Sequence, residues 1–205
     1  MNDRYLTIKT AVSSEIKVKG SRFVGWLSPV ADREDASAMV RKAQKQYHDA
    51  THHCYAYRIG LGDRLEFRYH DDGEPSGTAG KPILDVLEGN RITDCICIVT
   101  RYFGGTKLGT GGLARAYGRC AGESVAKANI VEAFIFYTLT AVFDYALTGA
   151  VMSVLSRYQC RIVRTEYLEE TRLQLSVRHS QKEALQEDLL NCTAGRIRFY
   201  NLKEV

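Results

Sequence analysis

Eleven of the chain's 17 glycines lie between residues 73 and 122. Most fall in two loops, Asp71-Asp72-Gly73-Glu74-Pro75-Ser76-Gly77-Thr78-Ala79-Gly80 and Gly104-Gly105-Thr106-Lys107-Leu108-Gly109-Thr110-Gly111-Gly112. Glycine weakens a helix or strand by ~0.5–1 kcal/mol relative to alanine, and is used where the backbone needs positive φ or must approach something closely. A strand-like run precedes each loop and a helix-like stretch follows it. The two loops therefore read as strand-to-helix turns that present a surface built largely from backbone groups.

Periodicity orders the rest of the chain. Alternation with β-branched and aromatic side chains predicts strands over 5–12 and 15–30, with Lys19-Gly20-Ser21 as a turn or bulge. Asp32 suits the N-cap of a helix reaching Tyr47, whose inner face carries Ala36, Met39, Val40 and Ala43. Strands are expected at 53–59 and 65–69, and a short helix at 82–87, where Pro82 fits a first turn. The apolar run 92–102 predicts a central strand buried on both faces, and a helix is expected over 111–128. After Asn129 the pattern restarts with a strand at 131–145, a helix at 147–158, strands at 161–168 and 172–177, a helix at 181–190 and a strand at 197–202. That order is βαββαβ, a ferredoxin-like arrangement. The expected fold is α+β in two domains, residues 1–129 and 130–205.

Composition narrows the function classes. No apolar run approaches the ~20 residues of a membrane span, and the first residues do not read as a signal peptide. Cys54, Cys95, Cys97, Cys120, Cys160 and Cys192 are scattered through apolar patterns, as buried thiols of a reducing compartment would be. A cytoplasmic protein is expected. Residues 131–205 carry nine basic and nine acidic side chains, so the net charge of +4 belongs entirely to residues 1–130. A basic bias beside a glycine-rich loop favours an anionic partner such as RNA or a phosphate; a solvated mixed surface is the plain alternative.

Each motif admits two readings. Asp71, Asp72 and Glu74 could hold a hard cation or act as acid–base groups, or they could pair with Arg101 or Lys107 and pin the loops together; pairing or partner recognition is favoured. In the second loop Lys107 is misplaced for a Walker loop. Gly109-Thr110-Gly111-Gly112-Leu113-Ala114 follows too long a turn for a dinucleotide fingerprint. Clustered N–H groups at a helix start still form an anion-binding nest, which Arg115 and Arg119, four residues apart, would extend. Glycines that only permit close packing are the equal alternative. His52-His53-Cys54 lies on a strand, where neighbours point to opposite faces, and lacks a second ligand pair for zinc. Cys54 or Cys120 could serve as a nucleophile beside a histidine, but Cys120 shares an apolar helix face with Leu113 and Tyr117. No catalytic residue, metal or cofactor is expected.

The stretches Asp71–Pro82 and Arg101–Leu113, with His52-His53-Cys54 and Lys19-Gly20-Ser21-Arg22-Phe23 upstream, closely resemble the signature of the IMPACT family, of the YigZ type in bacteria. The last 77 residues resemble the family's bacterial C-terminal domain through their element order. The resemblance implies an N-terminal α/β domain similar to a ribosomal small-subunit protein, elongation factor G domain IV and the GHMP kinases. It also implies a C-terminal domain similar to elongation factor G domain V. Eukaryotic relatives regulate translation initiation under starvation with the help of an RWD domain, which is not read in this sequence. The expected function is thus that of a translation-linked regulator binding RNA, the ribosome or a translation-associated protein. An enzyme taking a phosphorylated ligand or nucleotide at the loops is the alternative. The candidate binding residues are Asp71, Asp72, Gly73, Glu74, Gly77, Thr78, Gly80, Arg101, Tyr102, Gly104, Gly105, Lys107, Gly109, Gly111, Gly112, Arg115 and Arg119. Both loops are expected at one sheet edge if their preceding strands are parallel neighbours, with Gly109 and Gly111 at positive φ.

Overall fold

The computed structural model describes residues 3–201, and its contacts divide the chain after Ala133. One unit comprises Tyr5–Ala133, and Phe134 onward forms the other together with Asp3 and Arg4. The first contains strands β1 (Arg4–Ile8), β2 (Val12–Val18), β3 (Ser21–Pro29), β4 (His52–Ile59), β5 (Glu66–His70), β6 (Cys95–Tyr102) and β7 (Ile130–Phe134), apart from the end residues Arg4 and Phe134. Its helices are α1 (Arg33–Gln46), α2 (Gly80–Gly89) and α3 (Thr110–Lys127). Asp32 caps α1 as expected, its carboxylate accepting from the Asp35 N–H at 2.9 Å.

Five strands form an antiparallel sheet in the order β2-β3-β6-β4-β5. The apolar run places β6 at the centre, where every residue from Cys95 to Arg101 is buried. Alternate side chains divide the sheet between two cores. Cys97 and Val99 pack with Ile83, Leu87, Leu113, Tyr117 and Cys120 of α2 and α3, while Ile96 and Ile98 pack with Ala36 and Ala43 of α1. The unit is therefore a three-layer sandwich of α1, sheet, and α2 with α3. β5 and β6 are not the expected parallel neighbours. β4 lies between them and runs antiparallel to both, so β5 and β6 point the same way and end at the same edge. The shared edge survives, by a different topology.

The second unit contains β8 (Phe136–Phe143), α4 (Thr148–Leu155), β9 (Cys160–Tyr167), β10 (Thr171–Arg178), α5 (Lys182–Cys192) and β11 (Arg198–Asn201). The antiparallel order β11-β8-β10-β9 makes it ferredoxin-like. Leu139, Phe143, Leu173, Leu175 and Val177 face Val151, Val154, Leu185 and Leu189 of the two helices. The single strand expected over 131–145 is two strands, interrupted at Ile135. There the N–H donates to the Asp3 carbonyl at 2.8 Å and the carbonyl accepts from the His179 N–H at 2.9 Å. β7 leaves the ferredoxin-like order and pairs with β1 instead.

Asp3 anchors the chain's beginning to this second unit. Its buried carboxylate accepts from the Arg178 guanidinium at 2.9 Å and from the Ser180 N–H and hydroxyl at 3.0 and 2.6 Å. The Arg178 hydrogen bond, with Ser180, outweighs the opposing effect of burial and holds the carboxyl well below its ordinary 3.8. The contribution to stability is therefore fully present above 3.8 and lost as pH falls through the folded value. Asp3→Asn should destabilise the second unit by roughly 1–3 kcal/mol at neutral pH, read as faster hydrogen exchange at β8 and β10 amides. The variant's loss of protection on acidification should be shallower than that of the unaltered chain. Equal protection at pH 7 would show that the contact contributes nothing.

Candidate functional site

The two glycine loops are joined by a buried ion pair. Glu74 in the first loop is 8% exposed and Arg101 at the end of β6 is 5% exposed. The Arg101 Nη1 donates to Glu74 Oε1 at 2.7 Å, and the Tyr117 hydroxyl of α3 donates to the same oxygen at 2.7 Å. Arg101 shares the α2/α3 face with Cys97 and Val99, so its charge points into the domain and not out of it. Its plane lies over Phe23 and Phe103 at 5.6 and 5.4 Å, Nη2 reaches Ser21 Oγ at 3.4 Å, and Nε is buried with no hydrogen-bond partner. Of the two readings of the acidic cluster, the pinning one describes Glu74 and Arg101.

Asp71 and Asp72 also face inward to the loop. The Asp71 carboxylate accepts from the N–H groups of Gly77, Ala79 and Gly80 at 2.9, 3.0 and 2.8 Å. It thereby fills the start of α2 with the chain's own anion, where backbone donors would otherwise go unpaired. Asp72 accepts the His53 N–H at 2.7 Å, and its carbonyl lies 2.7 Å from His52 Nδ1. A carbonyl only accepts, so His52 Nδ1 donates to it, and Nε2 lies 3.9 Å from Glu74 Oε1. Thr78 is buried, with its hydroxyl donating to the Pro75 carbonyl at 2.6 Å. Gly73 and Gly77 are exposed, and Gly80 is buried beneath the His70 backbone.

The second loop behaves differently. Tyr102 donates to Asp49 at 2.9 Å and carries the Arg22 guanidinium 4.2 Å above its ring. Gly104 packs directly on the turn at Gly20: a Cβ at position 104 would sit 1.9 Å from the Gly20 carbonyl carbon. The Gly104 N–H donates to Ser21 Oγ at 3.1 Å. Beyond this contact the loop is open, with Gly105 and Lys107 exposed. Gly109 has φ 72° and ψ 165° and is the N-cap of α3, with no side-chain cap bond and no acidic residue in the first turn. Gly111 does not share its positive φ. It lies inside the first helical turn, where a Cβ would meet only the tip of Arg115 at 3.4 Å. Gly112 is half-buried against Leu108, and Arg115 and Arg119 are exposed on α3.

The thiols are poorly suited to nucleophilic chemistry. The Cys54 thiol donates to the Asp71 carbonyl at 2.9 Å, and burial pushes its pKa far up. Burial also raises Cys120 to about 11, so both stay protonated at neutral pH. His53 points to Thr100, 3.1 Å away, and burial lowers its pKa. Among the described residues no three His, Cys, Asp or Glu side chains converge as a metal-ligand set. Tyr117, Ser21 and His52 complete the network and were not among the expected binding residues. The signal for Tyr117 was a phenol on an apolar helix face, since a buried hydroxyl requires a partner.

The geometry defines a two-unit α+β protein whose first unit carries a doubly looped edge pinned from within. The Impact N-terminal domain model matches residues 19–125, and the model of a domain of unknown function (DUF1949) matches 142–196. The chain is 38% identical to the IMPACT family member YvyE of Bacillus subtilis, over 94% of this chain and 88% of that protein. It is 29% identical to the IMPACT family member YigZ of Escherichia coli, over 92% and 93% of the respective chains. A crystal structure of a hypothetical protein superposes with TM-score 0.73 at 27% identity, covering 100% of each chain. The chain belongs to the IMPACT family.

Removing one partner of the pinned pair should be severe, because it leaves a buried charge unpaired. Glu74→Leu is expected to lower stability by about 3–5 kcal/mol in urea denaturation, and Glu74→Leu with Arg101→Met by less than Glu74→Leu alone. The glycines should separate by mechanism. Gly104→Ala should cost about 1–3 kcal/mol through backbone overlap with Gly20, whereas Gly111→Ala should be neutral or stabilise by up to ~1 kcal/mol. Equal effects at the two positions would remove the distinction between close packing and an ordinary helical turn.

Proposed function

We propose that this IMPACT-family protein is a cytoplasmic, translation-linked regulator that binds RNA, on its own or within a ribosomal particle, through the open second loop and α3. The observation that carries this reading is the exposed Lys107 and Arg115 beside a helix start that no side chain caps, with the exposed Arg119 one turn beyond Arg115 on α3. Phosphate oxygens accept hydrogen bonds from backbone N–H groups at such a start and are attracted by flanking cations. Arg101 serves this surface indirectly by holding the two loops together. Gly105, Gly109, Gly111 and Gly112 supply backbone to it, and Asp71, Asp72 and Glu74 shape the loop beside it. The resemblance of the two domains to translation-factor domains supports the choice of RNA. Six cysteines without a disulfide support a reducing compartment, and no helix among the described residues is long and apolar enough to cross a membrane.

A phosphorylated small molecule at the same helix start is the second reading, favoured by the same unfilled N-terminal turn. It requires no RNA affinity and a saturable nucleotide effect confined to Gly109–Leu113.

Three phosphate contacts on a single strand should give a slope of log affinity against log salt near −2, at about 0.7 per phosphate. The check is fluorescence anisotropy of a short unstructured RNA, with co-sedimentation of ribosomal particles in parallel. Charge reversal at Lys107, Arg115 and Arg119 together should abolish the salt-dependent binding across sequences while leaving the melting temperature nearly unchanged. Absence of RNA and particle binding at low salt would overturn the reading.

A further inference from the structure

We propose that the cleft between α1 and the edge strand β5 is a second, separate site that binds the phosphate of a small phosphorylated molecule. It lies on the α1 face of the sheet, opposite α2 and α3, and so does not depend on the function proposed for the second loop. The cleft has a volume of about 300 Å³, at the small end of the range for small-molecule sites. Arg33, Ser37 and Arg41, spaced by four along α1, line one side. Tyr55 and Tyr57 of β4 and Arg68 of β5 line the other. Register places Tyr57 opposite Arg68 and Tyr55 opposite His70, so all four project to the α1 face.

The charges in the cleft are unequal. Glu66, opposite Ile59 on the same strand pair, takes an ion pair from Arg33 and a 2.9 Å hydrogen bond from the Tyr57 hydroxyl. That single carboxylate is used inside the cleft wall, and His70 is stacked on Tyr55 at 5.6 Å. Arg41 and Arg68 are exposed, and neither has a hydrogen bond or ion pair among the described residues. Two guanidinium groups that face one cleft repel each other unless an anion lies between them. A phosphate dianion answers both charges and accepts the forked donors of each, which a singly charged carboxylate answers only by half. Ser37 adds a hydroxyl donor, and the tyrosine rings add flat apolar walls for the rest of the molecule. The concave shape between a helix and a strand suits a compact ligand better than a polymer backbone.

The test is a titration of the full chain followed by amide chemical shifts, with pyrophosphate and adenosine 5′-monophosphate as probes. Saturable shifts are expected at Ser37, Arg41 and Arg68, with none at Gly109–Leu113. Arg41→Glu and Arg68→Glu should each weaken the affinity by at least about tenfold. Both side chains are exposed, so the melting temperature should hold and a loss of binding is not a loss of fold. Arg68→Lys should restore part of the affinity by returning the charge without the fork. No saturable shift in the cleft with either probe, or an affinity unchanged by both charge reversals, would overturn the site. A short RNA that perturbs these amides when pyrophosphate does not would also overturn it, in favour of a nucleic-acid backbone.

Discussion

The loop architecture depends on one buried ion pair. Arg101 occupies a position on β6 that packing alone would give to an apolar residue, since Cys97 and Val99 precede it on the same face. An arginine there carries a desolvation penalty of several kcal/mol unless a countercharge meets it with good geometry. The first loop delivers that countercharge: Glu74 reaches it at 2.7 Å, and the Tyr117 hydroxyl occupies the same carboxylate oxygen. Three elements distant in sequence are thereby fixed to one point. Tyr117 is further held by an edge-on contact with Phe23 at 5.2 Å, which brings β3 into the arrangement. Both loops are tied to this meeting: the first is held at Glu74 within its length before it enters α2, and the second leaves β6 just after Arg101 and leads into α3.

Within that frame the loops divide their roles, and Asp71 marks the division. A helix start holds several backbone donors without intrahelical partners, and something must accept from them. At α2 the acceptor is internal: Asp71 binds two of those N–H groups and closes the loop with a third contact at Gly77. The first loop is thus complete in itself. At α3 the cap is a glycine at positive φ, and no carboxylate accompanies it. The similarity of the two glycine-rich stretches in sequence conceals this difference, because what separates them is where an aspartate six residues upstream of Gly77 turns its side chain.

Much of the fold was legible. Residues 92–102 read as a buried strand because the six consecutive positions from Cys95 to Thr100 carry no charged side chain, and Asp32 read as a cap because an aspartate precedes a period of 3.6. The βαββαβ order was legible because its helices and strands alternate cleanly in period. What failed shares one cause. The division of 131–145 at Ile135, the pairing of β7 with β1, and the insertion of β4 between β5 and β6 are long-range pairings, and local periodicity carries no information on them. The same holds at the site. The acidic cluster was legible as a group that could pin the loops, but the choice of Glu74 over Asp71 and Asp72 depends on which carboxylate the folded loop turns toward Arg101. Gly111 looked equivalent to Gly109 because two glycines separated by one residue give no sign of which one bears the cap.

The distribution of positive charge follows from these constraints. Among the basic residues of the first 130, some are consumed by the fold and others are left over. Arg101 is consumed by Glu74, and Arg33 by Glu66. Arg22 lies over the Tyr102 ring. Lys107, Arg115 and Arg119 are left over on one side of the sheet, and Arg41 and Arg68 on the other. A protein selected only for solubility would intersperse both signs over such surfaces. Here the carboxylates of Asp71, Glu74 and Glu66 are engaged within the fold, by capping α2 or by pairing with Arg101 and Arg33. By drawing Asp71, Glu74 and Glu66 into structural roles, the fold leaves exposed cations on two faces, and these are the faces on which the proposed anions would bind.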